Sequence, residues 1–391
     1  MLRVAQVITR FIAGAGGVAL RGAVALDPDR YSVTVLSAPG GPLLAEAERA
    51  GIEVVRLAHM RHEINPLEDY RALAELTREL RARNFDVVHT HSSKAGALGR
   101  IAARRAGVPA IVHTFHGFPF HNRQAWPLRA TYIQVERRLG RITDRFLAVG
   151  GAVAAEAIRL KIAPAERVRA IASAIDLDIP KATQSSRALA RRRLGLSDDS
   201  LVVGTVGRLA PQKAPADMVA AVEALGRRDV AFIWIGDGPL AEATRALVAR
   251  KGMEDRFVLL GERDDVATLL PALDVFALAS HYEGLPCSVV EAMTCGIPVV
   301  ATAVNAVPEV VVPGRTGLLV PPGEPALLGK AVGYLLDHPN EAMRMAQAAR
   351  TQLGDRFHPA VLGRDLEETY ELALNGSSPA MTPPLGMVAH A

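Results

Sequence analysis

The sequence predicts an α/β protein with two doubly wound domains, each a parallel sheet covered by helices, that face each other across a cleft. The 391 residues are too many for one ordinary domain and suffice for two of about 180 to 200 residues. Short apolar runs alternate with amphipathic segments along the chain, which is the pattern of βαβ units. With 49% hydrophobic and 22% charged residues, the composition excludes a chain that is disordered as a whole.

In the first half, six apolar runs predict strands, and the segments between them predict helices. The helices include Pro66–Arg83 and residues 95–106, whose apolar positions recur at helical spacing. Strands separated by helices of this length pair in parallel and are covered on both faces. The predicted strands are residues 4–8, 32–36, 53–57, 87–89, 110–114 and 146–149.

A polar segment over residues 176–200 predicts a linker that contains a helix, and a second series of strands follows it. We therefore expect Rossmann-like domains over residues 1–180 and 181–375. Residues 376–391 are rich in Gly, Ser and Pro, which predicts a disordered tail. The strands predicted in the second domain are Leu201–Val206 and residues 231–235, 257–260, 275–279, 298–301 and 317–320.

The distribution of charge along the chain indicates what kind of partner the protein binds. Residues 1–185 hold 26 Lys and Arg against 17 Asp and Glu, so we expect the first half to meet an anionic partner. Aromatic residues make up only 5% and no basic stripe contains stacking residues, which argues against a nucleic-acid partner.

Cys287 and Cys295 would lie about 12 Å apart on a helix, so we expect reduced thiols in a reducing compartment. Without a recognisable signal peptide or membrane span, the predicted location is cytoplasmic.

The sharpest motif is EGLPCSVVE at residues 283–291, directly after a predicted strand. Gly284 and Pro286 force an irregular turn, and the helix that follows should end at Gly296. The free N–H groups of its first turn suit a phosphate or sugar oxygen. Glu291 lies one turn inside the helix and, as a bidentate acceptor, suits a ribose diol. The alternative is a surface glutamate on an ordinary crossover.

Two other loops also suit phosphate. Arg208 and Lys213 follow the strand Leu201–Val206 and would direct two cations at a diphosphate, although an exposed basic loop without function is the alternative. After the first strand, the glycines of the segment GAGG permit close backbone approach to a phosphate. That segment lacks the last glycine of the dinucleotide fingerprint, and no acidic residue ends the second strand, which argues against a nicotinamide cofactor.

Five of the eleven histidines cluster within residues 89–121. No cysteine or acidic residue accompanies them at the standard spacing of a zinc site, so no metal is predicted. The open alternatives are buried histidines bonded to the backbone and a neutral histidine that hydrogen-bonds a substrate hydroxyl. The cluster consists of His89, His91, His113, His116 and His121.

Taken together, these motifs resemble the retaining nucleotide-sugar glycosyltransferases of family 4, which have the two-domain GT-B fold. The resemblance covers residues 1 to about 375 and extends to GDGP at 236–239, GERDDV at 261–266 and GLLVPPG at 317–323. The first half, with HTHSSKAGALGR and HTFHGF, is similar to the branch associated with capsular and exopolysaccharide assembly.

The resemblance implies an acceptor-side first domain, a nucleotide-sugar-binding second domain and a role for each matching position. Glu291 would bind the donor ribose, Glu283 the sugar hydroxyls, and His116 the transferred sugar. Arg208 and Lys213 would hold the diphosphate and stabilise its charge as it leaves, without a metal or another cofactor. The other implied donor contacts are the amides of Gly284 and Leu285, the close approach of Gly16 and Gly17, and the base beside Asp265 and Val266.

The predicted activity is retaining transfer of a sugar from a nucleotide-diphosphate sugar, with UDP favoured, to a hydroxyl in polysaccharide or lipid-linked glycan assembly. A nucleotide-sugar epimerase, a small-molecule glycosyltransferase of secondary metabolism and a non-catalytic binder are the alternatives. The basic clusters at residues 100–105 and 137–145 further predict docking on the inner face of the plasma membrane. On one helix, Arg137, Arg141 and Arg145 would line a single face. A solvated helical face is the alternative there.

Overall fold

The computed structural model describes residues 1–12, 14–120, 124–176 and 178–376. The chain divides into two compact units. Met1–Ile175 and the segment from Phe357 onward form the first unit, and Asp176–Arg356 form the second. Each unit has a sheet whose strands all pair in parallel, with helices between most successive strands. The predicted class, two parallel-sheet α/β domains, is confirmed.

The first unit contains a seven-stranded sheet in the order β3-β2-β1-β4-β5-β6-β7. Six of the strands match the predicted ones, and the last, which was not predicted, is only three residues long. The strands are β1 Leu2–Ile8, β2 Tyr31–Ser37, β3 Glu53–Arg56, β4 Val87–His91, β5 Ala110–Phe115, β6 Arg145–Ala148 and β7 Val168–Ala170. The helices are α1 Ala15–Ala25, α2 Pro42–Arg49, α3 Pro66–Arg83, α4 Ser93–Ala106, α5 Trp126–Gly140, α6 Gly151–Arg159 and, from the C-terminal segment, α14 Pro359–Leu374.

The second unit contains a six-stranded sheet in the order β10-β9-β8-β11-β12-β13, and all six strands were predicted. Its first helix lies in the polar 176–200 segment, as expected, and begins with a capping box between Thr183 and Ser186. The strands are β8 Leu201–Val206, β9 Val230–Ile235, β10 Phe257–Gly261, β11 Val275–Leu278, β12 Val299–Thr302 and β13 Leu318–Val320. The helices are α7 Gln184–Arg193, α8 Pro215–Leu225, α9 Ala241–Arg250, α10 Val266–Leu269, α11 Cys287–Cys295, α12 Pro325–Asp337 and α13 Pro339–Leu353.

The last helix differs from the expected domain boundary, because α14 belongs to the first unit although residues 181–375 were expected to form the second domain. Two glycines let α14 pack closely on α1. A Cβ atom on Gly363 would lie 2.5 Å from the carbonyl oxygen of Ala25, and one on Gly22 would lie 2.8 Å from Leu366 Cδ1. The second unit therefore ends at Arg356. The disordered tail was expected over residues 376–391, of which residues 377–391 lie outside the described residues.

In each sheet the strand order reverses beside the first strand of that unit. β1 pairs with both β2 and β4, and β8 pairs with both β9 and β11. At such a switch point the loops that leave the two strands diverge to opposite faces of the sheet, and a crevice opens at the carboxyl ends of the strands. The predicted functional residues Arg208 and Glu283 follow β8 and β11, and Gly16 follows β1. No helix in the described part of the chain is long and apolar enough to cross a membrane.

Candidate active site

In the second unit, the loops after β8 and β11 meet at the carboxylate of Glu283. Lys213 Nζ lies 2.6 Å from Glu283 Oε1, and the hydroxyl of Ser280 donates to the same oxygen at 2.6 Å. The side-chain amide of Gln212 donates to Oε2 at 3.1 Å. The side chain of Glu283 is 5% exposed and that of Lys213 15% exposed. The carboxylate is therefore a buried anion held by one cation and two neutral donors.

Backbone contacts fix the three loops that surround this carboxylate. The backbone N–H of Glu283 donates to Asn305 Oδ1 at 2.9 Å, and the backbone N–H of His281 donates to the carbonyl of Gln212 at 2.8 Å. Asn305 follows β12 and has a φ of +44°, a conformation that asparagine tolerates better than most residues. The sequence did not indicate Ser280, Gln212 or Asn305, although all three are polar residues that follow strands.

The two cations predicted to hold a diphosphate differ in their surroundings. Lys213 is occupied by Glu283, whereas Arg208 is exposed, and no carboxylate of the described residues pairs with it. The glycine before Arg208 lies against the lysine: a Cβ on Gly207 would lie 3.1 Å from Lys213 Cε, in the flexible part of that side chain. Trp234 Nε1 donates to the Gly207 carbonyl at 2.8 Å. Arg208 is thus the cation available to an external anion.

Helix α11 begins at Cys287 and ends at Gly296, whose φ of +90° is the predicted left-handed cap. Glu291 is partly buried at the fifth position of the helix, and Gly284 and Leu285 are buried in the turn that leads into it. Both cysteines are free thiols. Burial raises the pKa of Cys295 to about 12, which makes it an unreactive core residue.

Asp265 and Val266, predicted beside the base, lie after β10 at the outer edge of the sheet. Both carboxylate oxygens of Asp265 accept hydrogen bonds from Arg263 at 2.8 Å, and this contact lowers the pKa of Asp265. No hydrogen bond or ion pair described for Asp265 joins it to the Glu283 cluster. The structure thus places these two residues at a separate position on the sheet edge.

In the first unit, Gly16 and Gly17 are buried in the first turn of α1. A Cβ on Gly16 would lie 3.3 Å from Leu43 Cδ1 and from the backbone of Phe11, so packing alone favours a small residue there. The preceding Gly14 has a φ of +76°, a backbone conformation that glycine adopts without strain. Both a packing role and a phosphate role are compatible with these glycines.

His116 follows β5 and is partly buried, with its Nε2 2.9 Å from Nδ1 of His91. Burial lowers the pKa of His116 to about 4 and that of His89 to about 3, so both rings are neutral at pH 7. His113 bonds instead to the hydroxyl of Thr90, at 2.8 Å. The fifth histidine of the cluster, His121, lies outside the described residues.

A buried chain of hydrogen bonds continues behind His116, and its two central members were not indicated by the sequence. Nε2 of His91 lies 2.5 Å from Gln6 Oε1, and Gln6 Nε2 lies 3.5 Å from the hydroxyl of Tyr370. That hydroxyl lies 2.8 Å from Nδ1 of His89. Tyr370 comes from α14, so local patterns in the sequence could not have placed it here.

The prediction that residues 137–145 form one cationic helix face is wrong. Helix α5 ends at Gly140, and Arg145 begins strand β6, where it is buried. Nε of Arg137 donates to the carbonyl of Leu160 at 2.7 Å. In the other basic cluster, Arg100 is fully buried and lies 2.7 Å from Glu136. These arginines are structural, because a strand interrupts the four-residue spacing and core acceptors occupy the guanidinium groups.

In the described residues, no group of three or more His, Cys, Asp and Glu side chains could hold a metal ion. The groups that could bind a ligand are an exposed arginine, a lysine–glutamate pair and a helix N-terminus in the second unit, and a neutral histidine in the first. An arginine and a helix N-terminus suit a diphosphate, and neutral hydrogen-bonding groups suit sugar hydroxyls.

Two family models match the chain. "Glycosyl transferases group 1" matches residues 186–352, and "Glycosyltransferase Family 4" matches residues 12–179. One similar protein is UDP-Gal:alpha-D-GlcNAc-diphosphoundecaprenol alpha-1,3-galactosyltransferase from Escherichia coli, 30% identical over 75% of this chain and 77% of its own. Another is 2-deoxystreptamine glucosyltransferase from Streptomyces kanamyceticus, 31% identical over 84% of this chain and 90% of its own.

Solved structures match over nearly the whole chain. Anabaena HepE in complex with UDP-glucose has a TM-score of 0.84 at 23% identity and covers 95% of this chain and 100% of that one. WaaG, a glycosyltransferase involved in lipopolysaccharide biosynthesis, has a TM-score of 0.77 at 17% identity and covers 95% and 99%. At these identities, the likeness establishes the fold alone.

Proposed function

The chain belongs to glycosyltransferase family 4, and from that premise we propose that it transfers a sugar from a UDP-sugar to a hydroxyl of a lipid-linked glycan, with retention of configuration. One observation carries the donor half of the proposal. At the switch point of the second sheet, the exposed Arg208 follows β8, and the buried Lys213–Glu283 pair lies before the N-terminus of α11. These groups suit the diphosphate and the sugar of such a donor.

In this proposal, one set of groups binds the diphosphate of the nucleotide-sugar and Glu283 binds its sugar. Arg208, Lys213 and the amides of Gly284 and Leu285 stabilise the charge that builds on the diphosphate as it leaves, which lowers the barrier more than it tightens ground-state binding. Glu283, bonded to Lys213, contacts the sugar hydroxyls.

Three further assignments complete the proposal. Glu291 accepts hydrogen bonds from the ribose. From the first unit, His116 hydrogen-bonds the transferred sugar, and Gly16 and Gly17 permit close backbone approach to the phosphate. Asp265 and Val266 are assigned to the base, on the resemblance alone.

Similarity to the Escherichia coli enzyme, whose name specifies a diphosphoundecaprenol-linked acceptor, supports the acceptor half of the proposal. An acceptor of that kind is anchored in a membrane, so we also propose peripheral membrane association. Exposed apolar side chains support it. Helices α3 and α5 follow β3 and β5, so both begin at the carboxyl edge of the first sheet. The exposed apolar residues beside these helix starts are Ile64, Leu67, Tyr70, Trp126 and Leu128.

A donor screen tests the first half. We expect UDP-sugars to raise the melting temperature more than GDP- or ADP-sugars do. Glu291→Gln should weaken UDP affinity, whereas Glu283→Gln should impair transfer and spare UDP affinity, because only the second carboxylate is assigned to the sugar. Equal effects of the two substitutions on UDP affinity would contradict these roles.

Product analysis tests the reaction class and the acceptor. The best donor is incubated with a GlcNAc-diphosphopolyprenol, with 2-deoxystreptamine and with water alone. The proposal expects a new glycoside of the lipid, with the anomeric configuration of the donor. Glycosylation of the aminocyclitol alone would replace the lipid acceptor with a small molecule, and a stereoisomerised donor in water alone would identify an epimerase.

A further inference from the structure

His116 ends a chain of buried side chains that has no assigned role. Gln6, His89, His91 and Tyr370 are each at most 2% exposed. Side-chain hydrogen bonds link His116 to His91, His91 to Gln6, Gln6 to Tyr370 and Tyr370 to His89. The network ends where Nε2 of His89 lies 2.6 Å from the hydroxyl of Thr114. A buried polar network of this kind is stable only when each donor meets an acceptor, so its members constrain one another.

The direction of each hydrogen bond follows from the orientation of the Gln6 amide, whose oxygen faces His91 and whose nitrogen faces Tyr370. Gln6 Oε1 can only accept, so Nε2 of His91 carries a hydrogen and donates to it at 2.5 Å. A neutral His91 then has its lone pair on Nδ1. That atom must accept from Nε2 of His116, at 2.9 Å. His116 therefore carries its hydrogen on Nε2 and keeps a lone pair on Nδ1.

The same orientation of the amide sets the direction on the other side of Gln6. The amide nitrogen of Gln6 donates to the Tyr370 oxygen at 3.5 Å, and the Tyr370 hydroxyl donates to Nδ1 of His89 at 2.8 Å. His89 then donates from Nε2 to Thr114. A phenol is a good donor and an imidazole nitrogen a good acceptor, so the short Tyr370–His89 contact is consistent with this direction.

We propose that Gln6, His91 and Tyr370 are positioning residues that fix His116 as the tautomer with hydrogen on Nε2, so that its Nδ1 accepts a hydrogen bond from a sugar hydroxyl. The inference rests on the proposed function, because it specifies how His116 recognises the transferred sugar. The His116 ring would then select a donating hydroxyl at that position of the sugar.

The charge state of the network supports this assignment. Burial lowers the pKa of all four described histidines of the cluster, and a charge on His116 would further lower the pKa of the other three. The Arg100 guanidinium further lowers the pKa of His113. All the rings are therefore neutral near pH 7, and tautomer choice is the remaining variable.

The direct test is the tautomer of His116 in the full chain, without substrate. Long-range ¹H–¹⁵N correlation spectra of protein labelled at histidine report which ring nitrogen carries the hydrogen, and a His116→Asn sample identifies the His116 signals. We expect the Nε2–H form in the wild type. The Nδ1–H form there would mean that the Gln6 amide has the opposite orientation, and would overturn the proposal.

Substitutions at the far end of the chain test transmission. Tyr370→Phe removes the hydroxyl that holds the Gln6 amide, so His116 should become a mixture of tautomers. Gln6→Glu keeps an oxygen opposite His91 and should retain the Nε2–H form, whereas Gln6→Met should not. Tyr31→Phe is the matched control, because Tyr31 is also buried and its hydroxyl has no hydrogen-bond partner among the described residues. A pure Nε2–H form in both Tyr370→Phe and Gln6→Met would overturn the proposal.

Transfer kinetics give a second readout. In Tyr370→Phe, kcat/KM for the UDP-sugar should fall about five- to tenfold while the affinity for free UDP is unchanged, and Tyr31→Phe should match the wild type. An unchanged kcat/KM in Tyr370→Phe, together with a mixed tautomer, would show that the sugar does not use Nδ1. Absence of transfer in every sample would count against the proposed function, and the tautomer spectra would remain interpretable.

Discussion

At the scale of single residues, Lys213 and Arg208 have the same expected ligand but different surroundings. Lys213 neutralises the buried carboxylate of Glu283, whereas Arg208 is exposed. Lys213→Ala would leave a buried charge without its counter-ion and should cost about 3 kcal/mol of unfolding free energy. Arg208→Ala should change that free energy by less than about 0.5 kcal/mol. Urea unfolding of the two variants measures the difference.

Both variants should lose activity, since each removes a charge-assisted contact worth about 1.5–3 kcal/mol and turnover should fall at least tenfold. The combination Lys213→Ala with Glu283→Gln is the control for stability. It removes the unpaired charge together with its counter-ion, so it should be more stable than Lys213→Ala alone. A Lys213→Ala protein as stable as the wild type would show that the pair contributes nothing to folding.

The sequence identified the residues of the candidate site that lie in local motifs. Arg208, Lys213, Glu283 and Glu291 each follow a strand at the switch point, and short-range spacing was sufficient to select them. It could not show that Lys213 and Glu283 bond to each other, because that contact joins loops from two different strands. Nor could it identify Gln6 and Tyr370, whose contact depends on the docking of the last helix.

At the scale of elements, the strands were the most predictable part of the fold. All twelve predicted strands are present, because buried parallel strands are continuous apolar runs between helical segments. β7 was missed because Arg169 interrupts it and its three residues are only partly buried, so it is not an apolar run. The prediction that α14 belongs to the second unit was wrong for a different reason. An amphipathic pattern does not show which unit its apolar face packs on, and the close packing at Gly22 and Gly363 joins segments far apart in the sequence.

Helix α14 provides a test in which packing and helix propensity have opposite signs. Alanine is favoured over glycine inside a helix by about 1 kcal/mol. At Gly363, however, a Cβ would lie 2.5 Å from the carbonyl oxygen of Ala25. That oxygen belongs to the backbone, so it cannot move aside as the end of a flexible side chain could. Overpacking of this kind costs about 1–3 kcal/mol, so Gly363→Ala should lower the free energy of unfolding.

The matched control for Gly363→Ala is Gly333→Ala in α12. Among the described residues outside its own helix, its Cβ would meet within 4 Å just the end of a flexible side chain, Leu225 Cδ1 at 3.1 Å. We expect Gly333→Ala to be neutral or stabilising in the same urea titration. If both alanine variants were stabilised, close packing between α14 and α1 would not be what holds the last helix on the first unit.

At the scale of the whole molecule, the asymmetric charge persists when the chain is divided at the structural boundaries. The first unit holds 26 basic against 19 acidic residues, and the second holds 19 against 22. In the two predicted basic clusters, Arg104, Arg105, Arg138 and Arg141 are exposed, whereas Arg100 and Arg145 are buried. The sequence could not separate the two groups, because burial depends on tertiary packing. Net charge attracts a protein to an anionic leaflet, whereas exposed apolar side chains determine which face inserts.

Tryptophan fluorescence can test the proposed membrane contact, because the two tryptophans differ in exposure. Trp126 is 76% exposed at the start of α5, and Trp234 is 1% exposed in the core of the second unit. Vesicles that contain anionic phosphatidylglycerol should shift the emission to shorter wavelengths through Trp126 alone, since aromatic rings favour the membrane interface. The shift should decrease as salt rises, because screening weakens the attraction of the basic first unit to the leaflet.

Trp126→Ala with Leu128→Ala should reduce cosedimentation with these vesicles at least about tenfold, because each buried apolar side chain contributes roughly 1.5 kcal/mol or more. Val24→Ala is the matched control. Val24 is 56% exposed on α1, so this variant also removes exposed apolar surface from the first unit, but away from the proposed contact. Equal losses in both variants would indicate non-specific adsorption. No vesicle binding by the wild type at low salt would mean that the enzyme reaches its acceptor without docking on lipid.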